Sequence, residues 1–153
     1  MKTKVLLIAL VIITVIGCKK DKLDTVPKLK IKSLNTTEVP VNGTLRVTFE
    51  FADKEGDLSD SIFVKKIRLN QVSVPTIRDS FALPMPQFPP NSRGEIEVDL
   101  NYQAILSAIS PPTIPGSNPP MKEPDTLVLK FAIQDQAKHI SDTVTSQPIA
   151  VIR

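Results

Sequence analysis

Cysteine is nearly absent. The 153-residue chain has one, so no intrachain disulfide can form, and an exported domain would have to hold by burial and strand pairing alone. Tryptophan is missing, tyrosine occurs once and phenylalanine six times. The core must therefore come mainly from Val, Ile and Leu, and the flat exposed aromatics typical of glycan-binding modules are in short supply. One histidine, His139, and one thiol fall short of the three or four His, Cys or carboxylate ligands of a zinc site. A triad built on His139 would have only Ser141 and Asp142 nearby, and residues so close along a chain seldom form one. The five glycines include no Gly-x-Gly-x-x-Gly and no phosphate-loop spacing. Together these shortages point to a chain with no catalytic role.

An excess of charge is also lacking. The sequence has 19 Lys and Arg against 16 Asp and Glu, but two of the lysines, Lys2 and Lys4, precede a hydrophobic run that reads as a removable leader. Without them the balance is 17 to 16, a net charge of +1, with no polybasic array to release counterions from nucleic acid.

The one long apolar run, Val5 to Ile16, follows that basic start and ends at a small residue, Gly17. It is too short for a membrane span, which takes about 20 residues, and has the zones of a secretory signal with a helical hydrophobic segment. Val15-Ile16-Gly17-Cys18 resembles the bacterial lipobox, in which signal peptidase II cuts before the cysteine and the cysteine carries acyl chains. The expected organisation is a signal peptide over 1–17, a lipidated Cys18 with a polar tether over 18–28, and one domain over 29–153.

Within that domain Leu29 to Leu34 alternates with a lysine-rich face, and Thr44 to Ala52 sets Leu45, Val47, Phe49 and Phe51 against Arg46, Thr48 and Glu50. Extended structure is expected again over 62–69, with Ile67 and Leu69 apolar against Lys66 and Arg68, and over 77–83, 94–100, 126–134 and 143–152. Asn101 is placed to cap a short helix with Tyr102, Ile105, Leu106 and Ile109 on one face. Ten of the 14 prolines lie in 84–90 and 111–124, which excludes both stretches from central strands. Met85, Phe88, Ile114 and Met121 within them either cover the ends of the fold or serve as docking segments. About seven short strands without strand-helix alternation predict an all-β, immunoglobulin-like antiparallel sandwich, with a small open barrel or jelly roll as the alternative.

The acidic stretch Asp53-Lys54-Glu55-Gly56-Asp57 admits two readings. The plainer is a solvated turn with Gly56 at positive φ. The other is a Ca2+ site formed by Asp53, Glu55, Asp57 and Asp135, because the loop after the second strand and the loop before the last share one end of such a sandwich. Asp142 is placed to approach the same end. Glu95, Glu97 and Asp99 recur at period two between core residues and read as a solvated strand face rather than paired catalytic carboxylates.

Several stretches together resemble the small Bacteroidota envelope lipoproteins that carry one Ig-like domain. They are Cys18-Lys19-Lys20-Asp21, Phe49 through Leu58, Leu83-Pro84-Met85-Pro86, Gly94 through Val98, Asp125-Thr126-Leu127, Asp135, and Ser141 through Val144. Two places depart from that pattern. Glu55 stands where the pattern has Asp, and Lys138-His139 replaces Gly-Asn, a pair suited to a left-handed turn and an amide ligand. The resemblance implies an acylated, non-enzymatic module anchored in the outer membrane. Its role would be structural or in contact with another envelope protein. The alternative is an accessory lipoprotein binding a glycan or nutrient, calcium-stabilised or not. Lys19-Lys20-Asp21 partly resembles an export tag, which tilts the expectation toward the cell surface rather than the periplasm.

Overall fold

The computed structural model describes residues 24–87 and 89–153. The lipobox residues Val15, Ile16, Gly17 and Cys18, and also Phe88, lie outside the described residues. Among the described residues nine strands and one helical turn follow in order: β1 (Lys28–Leu34), β2 (Glu38–Val39), β3 (Thr44–Ala52), β4 (Ser61–Arg68), β5 (Ser80–Pro84), β6 (Arg93–Asn101), α1 (Tyr102–Ile105), β7 (Asp125–Gln134), β8 (Val144–Thr145) and β9 (Ile149–Val151). One sheet runs β1-β3-β6; the other runs β2-β9-β7-β4-β5, with β8 also on β7. The chain crosses between sheets after β1, β2, β3, β5 and β6, giving the immunoglobulin-like sandwich. One pair departs from the antiparallel expectation: β2 runs parallel to β9 along the edge.

Alternation builds the core. Leu45, Val47, Phe49 and Phe51 of β3 face Leu127, Leu129, Phe131 and Ile133 of β7, all buried. Phe49 and Phe131 meet edge to face, with ring centroids 4.9 Å apart and planes at 71°. Such a pair adds about 0.5 to 1.5 kcal/mol beyond its buried area. Glu95, Glu97 and Asp99 are exposed on the outer face of β6, as expected, where Lys32 pairs with Glu95 and Arg46 with Asp99.

In β4 the expected faces are exchanged. Ile62, Val64 and Lys66 are buried, while Leu69 is exposed. Two cations therefore point into the sandwich end and are held there by partners distant in sequence. Lys66 Nζ donates to the carbonyls of Ala104 (3.0 Å) and Leu106 (2.6 Å), at the exit of α1. Arg68 Nη1 donates to Asp125 Oδ1 (3.1 Å), and Asp125 Oδ2 accepts from Arg153 (2.8 Å) and from the amides of Ser107 (3.1 Å) and Ala108 (3.4 Å). Burial alone would raise the Asp125 carboxyl, but the Arg153 and backbone hydrogen bonds outweigh it and hold it below the ordinary aspartate value. Desolvation dominates at Lys66, bringing its amine from 10.5 down to about 8.

Other expectations shift by a few residues. Asn101 does cap α1, its Oδ1 accepting from Ala104 N at 2.9 Å, but Ile109 leaves the apolar face and is 84% exposed. The strand expected from 77 begins at Ser80. The last strand is split into β8 and β9 at Ser146, whose hydroxyl accepts from the amide of Leu129 in β7 in place of a continuous ladder, as the Ser141 hydroxyl, ahead of β8, does from Ile133. Met85 covers the core, whereas Met121 is exposed on the proline-rich 111–124 segment, whose two arms pair at Thr113 and Lys122.

Candidate metal centre

The loop after β3 is shaped by its own first carboxylate. Asp53 Oδ2 accepts from the amides of Gly56 (2.7 Å) and Asp57 (3.1 Å), folding the chain back over it. Gly56 supplies the required turn at φ +73°, and a Cβ there would lie 2.8 Å from Asn91 N, so the position has no room for a side chain. The loop before β8 is fastened to the first. Gln136 N donates to Asp57 O (3.1 Å), and Asp135 Oδ1 accepts from His139 N (2.7 Å). Lys138 takes φ +73°, so the left-handed turn survives without glycine. Where the lipoprotein pattern has an amide, the His139 ring instead approaches Asp135 Oδ2 through Nδ1 at 2.9 Å.

These two loops bring Asp53, Asp57 and Asp135 together, one carboxylate oxygen from each lying within 4.8 Å of the others. Asp53 and Asp135 are buried and Asp57 is half-buried. Glu55, expected as a fourth ligand, is exposed and outside the cluster, because the turn that wraps Asp53 leaves its apex in solvent. Asp142 is likewise exposed and belongs instead to a shallow depression with Asp24, Pro27 and Lys28. Ser141 hydrogen-bonds to β7 and to Asp142 O, while His139 faces Asp135, so these residues do not assemble as a triad.

Electrostatically the cluster is unfinished. Two unit charges 4.8 Å apart repel by about 3 kcal/mol at an effective dielectric of 20. Desolvation first, and then the neighbouring Asp57 and Glu55 charges, push the Asp53 carboxyl up, against the two amide hydrogen bonds that pull it down. Asp53 Oδ1 and Asp57 Oδ1 are buried with no hydrogen-bond partner in the protein. The sequence pointed to Asp53, Asp57 and Asp135, but only the fold separates them from Glu55.

The same end of the sandwich receives the chain from the N-terminal side. Lys54 N donates to Asp24 O at 3.2 Å, Pro27 is buried, and Asp24 pairs with Lys28. The last residues of the expected tether are thus seated against the domain.

No family model matches the chain, and neither does any curated protein. Among solved structures it is similar to a β-glucosidase from Listeria innocua in complex with gluconolactone (14% identity, TM-score 0.37, 83% of this chain and 16% of that one). The same enzyme with glucose gives a TM-score of 0.35. The chain spans about a sixth of that enzyme's length. A Niemann-Pick type C2 protein from the Japanese carpenter ant is 10% identical at a TM-score of 0.38, over 88% of this chain and 98% of that one. None of these likenesses bears on what the chain does.

Proposed function

We propose that this chain is a non-catalytic, lipid-anchored Ig-like module of a bacterial outer membrane, tethered through Cys18 and serving a structural or protein-contact role. The carrying observation is where the chain enters the sandwich. Asp24, six residues beyond Cys18, is already hydrogen-bonded to the loop after β3. Six extended residues reach at most about 20 Å, so an anchor on Cys18 would hold the acidic end close to the lipid surface. The opposite end would then face outward. At that end Val41, Leu69 and Ile152 are exposed beside strand termini and Ile109 and Met121 are exposed in the connection from α1 to β7, whereas the acidic end exposes Val26 and Ile140. Exposed apolar side chains toward the free end of a tethered domain suit contact with another envelope protein. Among the described residues no helix is long and apolar enough to cross a membrane.

Two or more acyl chains, at about 0.8 kcal/mol per buried methylene, make attachment stable where one chain is marginal. Cys18→Ser expressed in the native host should move the protein from the membrane to the soluble fraction. Retention of that variant in washed membranes would refute the anchor.

A further inference from the structure

We propose that Asp53, Asp57 and Asp135 bind a Ca2+ ion that clamps the loop after β3 to the loop before β8. The ligand set is oxygen only, and its three donors lie no further apart than about twice a Ca–O bond of 2.3 to 2.6 Å, so a single ion can touch all three. An acidic cluster alone would not suffice. Here, however, Asp53 is fully buried, and its Oδ1 has no partner in the protein while its Oδ2 is used twice by the loop backbone. Asp57 Oδ1 is unpartnered in the same way. A buried carboxylate oxygen left open beside two other carboxylates fits a hard cation, which satisfies the oxygen and cancels the repulsion together. Three carboxylates, with one oxygen each, supply at most half of the six to eight ligands that Ca2+ takes, leaving the rest to water and backbone oxygens. Mg2+ fits less well, because it requires near-octahedral geometry at 2.0 to 2.1 Å and gives up its waters reluctantly. The proposal stands apart from the lipid anchor and can fail or succeed without it.

The test is calcium binding by the full-length chain in detergent, measured by equilibrium dialysis and by thermal melting in CaCl2, MgCl2 or EGTA. A site of this ligand number should have a dissociation constant of about 0.1 to 1 mM. At ten times that concentration the melting temperature should rise by about 3 to 8 °C over EGTA, and by less in MgCl2. Asp57→Asn should weaken binding at least tenfold and remove the rise, and Glu55→Gln should leave both within twofold. Should Asp57→Asn fail to fold, Asp135→Asn replaces it with the same expectation. The proposal is overturned by melting curves that superimpose in CaCl2 and EGTA without calcium uptake. An equal loss of binding in Glu55→Gln, or an equal response to MgCl2, would also overturn the site as drawn.

Discussion

Removing the carboxylate of Asp125 should be among the most damaging single changes outside the apolar core. In Asp125→Ala, Arg68, whose side chain is 7% exposed, keeps its charge in the sandwich end with its ion pair gone and the Ser107 hydroxyl left to accept from it. The amides of Ser107 and Ala108 lose their acceptor, and Arg153 loses its charged one. Breaking a buried pair on one side costs about 3 to 5 kcal/mol, because the surviving charge stays desolvated. A domain of about 130 residues has an unfolding entropy near 0.27 kcal/mol/K, so the melting temperature should fall by about 10 to 20 °C. The control is Asp99→Ala. Asp99 also accepts two hydrogen bonds from an arginine, Arg46, but on the exposed face of β6, where water replaces the lost partner. Its melting temperature should barely move. The sign with pH follows from the same geometry. Asp125 is held below its ordinary value of 3.8, so its stabilisation is complete above that pH and is lost as pH falls through the lower folded value. Asp125→Asn should therefore flatten the acid limb of a stability curve below about pH 4. Differential scanning calorimetry of the two alanine variants decides the matter, and equal losses at the two positions would refute the claim that burial sets the cost.

Three further outcomes are expected, two from the fold and one from the sequence. Phe49→Ala, which removes one ring of the cross-sheet pair, should cost about 3 to 5 kcal/mol in urea unfolding, and a loss below 1 kcal/mol would mean the two sheets do not meet there. Lys66 has its folded amine lowered from 10.5 to about 8, so as pH falls from 10.5 toward 8 the unfolded chain takes up a proton that the folded chain does not, and the cost to stability grows. Stability should accordingly rise between pH 8 and 10.5, by up to about 3 kcal/mol, and Lys66→Met should abolish that slope. Protease added to intact cells should remove the domain, in keeping with the charged residues after Cys18, and protection until the outer membrane is broken would place it on the periplasmic side.

Much of this architecture is legible from the sequence because β3, β6 and β7 obey a period of two and each buries one face. The N-cap at Asn101 and the turn at Gly56 are legible for a similar reason, since each rests on chemistry within four residues. β4 is misread because Lys66 and Arg68 face inward only by virtue of carbonyls and a carboxylate 38 to 57 residues away, which no local pattern contains. The acidic site divides along the same line. Proximity in sequence makes Glu55 look equal to Asp53 and Asp57, yet the backbone of the turn puts it in solvent. Asp135 enters because the two loops share an end of the sandwich, and only the fold shows that its second oxygen faces His139.

The anchored-module account meets its most direct test in the intact mass of the protein isolated from its native membrane. The prediction is a chain beginning at Cys18, lacking residues 1–17 and heavier than the remaining 136 residues by a diacylglycerol group, with or without a further acyl chain. A mass equal to the unmodified 153-residue chain, with a free thiol at Cys18, would contradict it.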